Sequence, residues 1–289
     1  MNPKTQTQRT NILYLTTDCN LDCTYCYEAN KRNQEGFVHF ELTEAQIDEY
    51  VEEIERTEGT VKSSTVVIMG GEPTMAHAQI EYVIEKMIQS AKKLNKGYYC
   101  TFTTNGIKLG NSAYYKKLMD LFQYANENGF TIIPEISYDG KYGQKNRVFP
   151  NGTDSTEIVK GVVHKLNKDG IKFDISAVVT DLNHDKLIEE TIRFFETYKN
   201  SLNKLTYSFA HQELDTAFGL GYSRQIMKEY RPYMVQLFKK YNIPICPLTC
   251  GADACTRCEK GNFIGNRYLS PTLGILTKDQ HTEEAFSQF

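Results

Sequence analysis

Six apolar runs, each followed by a segment of helical periodicity, limit the architecture more than any other property of this sequence. The runs are NILYLT (11–16), TVVIM (65–69), YYCTFTT (98–104), FTIIPEISY (130–138), IKFDISAVV (171–179) and KLTYSF (204–209). They are rich in β-branched and aromatic residues, as strands require. Between them apolar side chains recur at helical spacing: Ile47, Tyr50, Val51 and Ile54, then Ile80, Val83, Ile84, Met87, Ile88 and Ala91. Further helices are expected over about 112–127, 155–168, 184–198 and 222–241, and Thr43 with Gln46 has the spacing of a capping box. Strand-then-helix units in succession build a parallel sheet covered by helices. No long linker interrupts them, so the expectation is one α/β barrel-like domain over 1–215, then a helix and a cysteine-rich extension over 216–289. In such barrels chemistry sits on the loops behind the strands' C-terminal ends.

Two of those loops carry unusual residues. Behind the first run, TTDCNLDCTYCYEAN holds Cys19, Cys23 and Cys26; behind the second stand Gly70, Gly71, Glu72 and Pro73. The 33 Lys and Arg against 36 Asp and Glu leave a formal net charge of −3 with no basic tract, which argues against a nucleic-acid partner. The opening MNPKTQTQRTN has no secretory apolar segment, and no run approaches the roughly 18 apolar residues of a membrane span. The expected location is cytoplasmic, where clustered cysteines serve metals or catalysis more often than disulfides. C-x3-C-x2-C supplies three thiolates from one loop, enough for three irons of a [4Fe–4S] cluster with the fourth iron open. A zinc site is the alternative, but it asks for a fourth ligand, and no His or Cys lies just downstream.

CNLDCTYC, followed in order by GGEP, TTNG and ISYDG along the strands, resembles the radical S-adenosylmethionine (SAM) superfamily over roughly residues 10–215. The resemblance implies a partial (β/α)6 TIM-like barrel, SAM chelating the open iron through its amino and carboxylate groups, and reductive cleavage to a 5′-deoxyadenosyl radical. It implies Tyr25 at the adenine, and Gly70, Gly71 and Glu72 at the SAM ammonium. Thr104 and Asn105 would lie near the ribose or carboxylate, Ser137 and Arg147 toward the carboxylate, and Val179 beneath the adenine. Ser137, Asp139 and Arg147 follow the S-x-D-G…R pattern of peptide-modifying members, although GQKNR lacks the His-Asp pair that usually precedes the Arg. Plainer readings stand beside these: a packing aromatic for Tyr25, ordinary turns for Gly-Gly-Glu-Pro and Asn-Gly, and core for Val179.

Near the other end CPLTCGADACTRC places Cys246, Cys250, Cys255 and Cys258 within thirteen residues. They suit a second, auxiliary iron–sulfur cluster or a zinc site, and the first motif favours iron–sulfur. NRYLSPTLGILTKD then reads as a hairpin. Cysteines before such a hairpin look like the SPASM and twitch extensions of this superfamily. Those extensions carry another cysteine after the hairpin, where this chain has Lys278, Asp279, Gln280 and His281. The fourth iron of the auxiliary cluster is therefore held by a cysteine of 246–258, held by a residue such as His281, or open.

Among candidate catalytic groups, Cys100 in the third run is either a buried thiol or a hydrogen-atom donor facing the lumen, a role for which Cys246 competes. Glu135 stands two residues before Ser137 and should share its side of the strand. Tyr138, His211 and Glu213 are further rim candidates. Together these readings point to hydrogen abstraction from a peptide or protein side chain or Cα, giving a thioether, an epimer or a cross-link. Modification of a nucleotide, nucleic acid or small metabolite is the alternative, and a non-enzymatic metal protein the remote one. The resemblance implies a flavodoxin- or ferredoxin-type electron donor. With no leader-binding segment ahead of the first run, the expectation is either a separate partner for peptide recognition or a different substrate.

Overall fold

The computed structural model describes residues 8–58, 63–210, 220–247, 263–270 and 274–277. Six parallel strands run in sequence order: β1 (Gln8–Tyr14), β2 (Ser63–Met69), β3 (Tyr98–Thr104), β4 (Phe130–Ser137), β5 (Phe173–Val179) and β6 (Leu202–Phe209). A short helix α1 (Tyr27–Arg32) and α2 (Glu44–Glu58) follow β1, and α3 (His77–Leu94) follows β2. The remaining strands are followed by α4 (Ser112–Glu127), by α5 (Gly140–Gly143) with α6 (Thr156–Lys168), by α7 (Leu187–Tyr198) and by α8 (Leu220–Tyr241). The sheet stays open, so the expected partial (β/α)6 barrel is what forms. Among the described residues no helix is long and apolar enough to cross a membrane.

Local chemistry sets the element ends. The Thr43–Gln46 capping box is present: Thr43 N donates to Gln46 Oε1 (3.0 Å) and Gln46 N to Thr43 Oγ1 (3.3 Å). Asn111 caps α4, its Oδ1 accepting from Ala113 N and Tyr114 N. The first strand lies three residues earlier at its start than expected, and its continuation Leu15 still donates to Met69 O at 2.8 Å before the chain turns into the cysteine loop. Residues His184–Lys186 form a 3-10 turn ahead of α7 rather than its first turn.

Each strand has one face toward the helices and one toward the barrel lumen. Val66, Ile68, Phe102, Phe130, Ile132, Ile136, Ile175 and Leu205 face the helices and are buried. Fully burying one such side chain stabilises the fold by about 1.5–3 kcal/mol. The lumen face is polar, with Thr103, Glu135, Asp174 and Lys204 aligned in one register row across β3 to β6. Lys204 Nζ lies 3.0 Å from Asp174 Oδ2 and 3.3 Å from Glu135 Oε1, and Thr103 Oγ1 donates to Glu135 Oε2 (2.9 Å). Burial raises Asp174 above the usual carboxylate range, while the two carboxylates keep Lys204 charged against its own burial.

Both edges of the six-stranded sheet are extended by later parts of the chain. A short β7 (Ile245–Pro247) pairs parallel to β6, and β8 (Phe263–Ser270) pairs parallel to β1. β9 (Gly274–Thr277) returns antiparallel on β8, which is the hairpin read from the sequence. Its docking beside β1 was not legible there.

Candidate active site

The loops behind β1 and β2 are locked to each other. Gly71 N donates to Thr16 O and Glu72 N to Asp18 O, both at 2.7 Å. A Cβ at Gly71 would stand 2.4 Å from Asp18 O, and one at Gly70 2.6 Å from Thr16 O. The two glycines are thus required by the approach of the cysteine loop itself, and a turn alone would not need both. Further on, Asp22 N donates to Val148 O (2.7 Å), Thr24 N to Asn146 O (2.9 Å) and Thr24 Oγ1 to Asn146 Oδ1 (2.9 Å). Backbone from two distant parts of the chain therefore fixes the loop that bears the thiols.

Glu72 is the hub of the second tie. Its buried carboxylate accepts from Thr74 N (3.0 Å), Thr74 Oγ1 (2.7 Å), Thr104 Oγ1 (2.7 Å) and Asn105 N (2.7 Å). Burial raises its pKa, and those donors oppose the rise. Behind β3, Gly106 at φ +80° makes the turn that lets Asn105 fold back. The Asn105 amide donates to Asn20 Oδ1 (2.7 Å) and to the sulfur of Cys19 (3.8 Å). Glu72, Thr104 and Asn105 thus form one chain of hydrogen bonds ending on a cysteine.

A third group acts on Cys23 electrostatically. Arg147 grips Asp139 bidentately, Nε to Oδ2 and Nη2 to Oδ1, both at 2.9 Å. Asp139 also accepts from Val178 N (2.8 Å) and from the Tyr25 hydroxyl, and the guanidinium carbon stands 5.5 Å from the centre of the Tyr25 ring. Burial holds Tyr25 as a neutral phenol.

Cys19, Cys23, Cys26, Tyr25, Gly70, Gly71, Glu72, Thr104, Asn105, Ser137 and Arg147 all line one cleft of about 380 Å³ at the C-terminal ends of the strands. A larger groove of about 750 Å³ between α4, β4 and α6 holds none of these residues. Burial pushes the Cys19 thiol up to about 11 and the Cys23 thiol up to about 12, opposed at Cys19 chiefly by the Leu21 N–H donated to its sulfur and at Cys23 by the Arg147 charge. Both are neutral thiols at pH 7, so metal loading must release protons. Among the described residues no three His, Cys, Asp or Glu side chains converge as one metal ion requires. The three thiols border the cleft instead, and soft thiolates around a space larger than one ion suit a multi-iron cluster.

Three expected site residues lie elsewhere. Val179 is fully buried in the helix-facing core, and its neighbour Val178 lines the cleft. Cys100 is likewise fully buried in that core, in register with Val66 and Ile132, so it does not face the lumen as a hydrogen-atom donor would. Its thiol is pushed far up by burial. Glu135 does share the lumen face with Ser137, but its carboxylate is engaged by Thr103 and Lys204. Tyr138 is buried in the helix-facing core, stacked at a tilt on Phe194 with 5.5 Å between ring centres. Cys246 falls in β7, in register with Thr206. Cys250, Cys255, Cys258, His211, Glu213 and His281 lie outside the described residues. The reading of the sequence missed Arg32, Thr103, Ser176, Val178 and Ser208, all of which line the cleft. Alternation from Asp174 through Ser176 was the available signal for Val178.

The model of the Radical SAM superfamily matches residues 13–195. An uncharacterized protein of Methanocaldococcus jannaschii, MJ0907, is 29% identical over 269 residues, 91% of this chain and 84% of that protein. The structure of native anSMEcpe with bound AdoMet and Cp18Cys peptide is similar at TM-score 0.60 and 18% identity, over 83% of this chain and 63% of that one. Streptococcus suis SuiB bound to its precursor peptide SuiA is similar at TM-score 0.61 and 15% identity, over 94% of this chain and 59% of that one. At these identities the likeness is one of fold, and this chain spans less than two thirds of either structure.

Proposed function

Because the chain belongs to the radical SAM superfamily, we propose that Cys19, Cys23 and Cys26 hold a [4Fe–4S] cluster and that the cleft beside them binds SAM. When bound, the pair supplies one-electron cleavage of the SAM sulfonium, releasing methionine and a 5′-deoxyadenosyl radical that takes a hydrogen atom from substrate. The chain itself holds and orients. Gly70 and Gly71 bring the second loop against the cysteine loop, and carbonyls of that loop are the acceptors for the SAM ammonium. Glu72 and Thr104 work from behind, fixing Asn105 on Cys19. Asp139 aligns Arg147, two of whose five N–H groups it occupies, for the SAM carboxylate, and fixes the Tyr25 ring at the adenine. Val178 takes the place at the adenine that the sequence assigned to Val179.

The substrate we propose is a peptide or protein. Thr103, Ser137, Ser176 and Ser208 line the cleft with small hydroxyls, which suit peptide amides. Thr103 gives its proton to Glu135, so its oxygen is presented as an acceptor for an N–H group. Two similar folds have been seen with peptides bound. In the same reading Cys246, Cys250, Cys255 and Cys258 form the auxiliary cluster of a C-terminal extension, and a flavodoxin- or ferredoxin-type protein delivers electrons.

The observation that carries this reading is the convergence of three cysteines, a Gly-Gly-Glu turn and a Thr-Asn strand end on one cleft. Its test is anaerobic reconstitution with iron and sulfide, comparing wild type with the Cys19→Ala/Cys23→Ala/Cys26→Ala variant. Loss of about four irons together with loss of 5′-deoxyadenosine formation is expected. Unchanged iron in the triple variant, or no SAM cleavage by loaded wild type, refutes it.

A further inference from the structure

Arg32, the last residue of α1, borders the same cleft as the three cysteines. Its Nη2 donates to Leu21 O at 3.1 Å, between Cys19 and Cys23 in sequence. Its Nη1 is buried with no hydrogen-bond partner among the described residues. Nor does Arg32 have an ion-pair partner among them, in contrast to Arg147, whose charge Asp139 matches at 2.9 Å. A half-buried guanidinium without a counter-charge is costly. The cleft that its side chain lines is bordered by the three thiols.

A cluster held by three thiolates is an anion, and more so once reduced. We propose that Arg32 is its counter-charge: the unpartnered amino group donates to a sulfur of the cluster or of Cys19, and the positive charge raises the cluster's reduction potential. This inference rests on the reading of Cys19, Cys23 and Cys26 as ligands. Arg32 is then a positioning residue that eases the arrival of one electron from the donor, while the chemistry stays with SAM. Hydrogen bonds to sulfur and local charge are the terms a protein uses to set such potentials.

The test uses the full chain, reconstituted anaerobically as wild type, Arg32→Lys and Arg32→Gln. Iron is counted, and the midpoint is taken from the reduced-cluster spectrum during a titration with dithionite, without SAM. A Cys19→Ala/Cys23→Ala/Cys26→Ala chain supplies the signal of any other cluster for subtraction. Arg32→Gln is expected to load like wild type and to lower the reduced-to-oxidised ratio at fixed potential about tenfold, which is about 59 mV for a one-electron couple. Arg32→Lys should fall between. If Arg32→Gln fails to load while Arg32→Lys loads and both apo forms melt as wild type, the charge is needed for assembly, which also supports the proposal. An unchanged midpoint in Arg32→Gln overturns it, and so does an unchanged midpoint with weakened SAM binding, which would make Arg32 a carboxylate anchor. Equal loss of iron and of apo stability in both variants makes Arg32 a strut and overturns it too. Full iron in the triple cysteine variant would instead overturn the ligand reading.

Discussion

Gly71→Ala should displace the cysteine loop, and the structure sets the size of the effect. The new methyl would lie 2.4 Å from Asp18 O, 2.6 Å from Thr17 O and 2.8 Å from Asp18 C, all backbone atoms that no rotamer change can move. Ordinary contact begins at 3.4 Å, so the loop must retreat by about 1 Å. That stretches the Gly71–Thr16 and Glu72–Asp18 hydrogen bonds, both now 2.7 Å, beyond useful length. Overpacking of this kind costs about 1–3 kcal/mol, and each lost backbone bond about 1 kcal/mol. The sum is about 3–5 kcal/mol; with a urea slope of about 2–3 kcal/mol/M the midpoint of the apo protein falls by about 1–2 M. Iron loading should fall with it, because Asp18 leads directly into Cys19. Gly161→Ala is the control: it lies in α6 with nothing within 4 Å of a new Cβ, and should gain up to about 1 kcal/mol. A Gly71→Ala chain that unfolds with wild type and loads full iron would refute the view that these glycines serve loop-to-loop contact.

Val179→Ala should cost about 1–3 kcal/mol of stability through its core cavity with SAM affinity intact, whereas Val178→Ala should weaken SAM binding at little cost in stability; calorimetric binding beside urea unfolding separates them. Cys100→Ser places a hydroxyl in the apolar core and should destabilise by about 1–3 kcal/mol, while Cys100→Ala should still form 5′-deoxyadenosine at the wild-type rate. The Lys165 and Tyr115 hydrogen bonds hold Asp169 below the ordinary carboxylate range. A depressed folded pKa adds stability above the unfolded value and loses it as pH falls. Wild type should therefore exceed Asp169→Asn in urea midpoint near neutrality, and the gap should close as pH falls below the ordinary carboxylate range; a gap that persists in strong acid would sink that assignment.

Much of the fold could be read because its signals are local. Apolar runs and helical spacing located β1 to β6 and α4, α6, α7 and α8, the capping box marked the start of α2, and three cysteines in eight residues located the cleft. What stayed hidden depends on partners far away in sequence. In FDISAVV the polar residues Asp174 and Ser176 mark the lumen face and alternation carries it to Val178, but with valines at both 178 and 179 neither side chain marks its face by its own chemistry. Cys100 behaves the same way, since a small apolar thiol fits either side of a strand. The Tyr25 to Asp139 bond spans 114 residues, and nothing near CTYC announces it. Glu72 looked like a ligand group because its motif faces the cleft; only its four donors reveal a carboxylate that ties strands together.

The placement of β8 has a consequence for how the chain acquires its shape. The strand that launches the cysteine loop has one of its two edges covered by residues 263–270, which are made about 250 residues later. Until residues 263–270 emerge, that edge presents unpaired backbone, which invites strand exchange with other nascent chains. A pairing of such long sequence separation is also slow to form. The thiol-bearing segment therefore gains its full support only after residues 263–270 have emerged, and metal delivered after that point would meet a finished cradle.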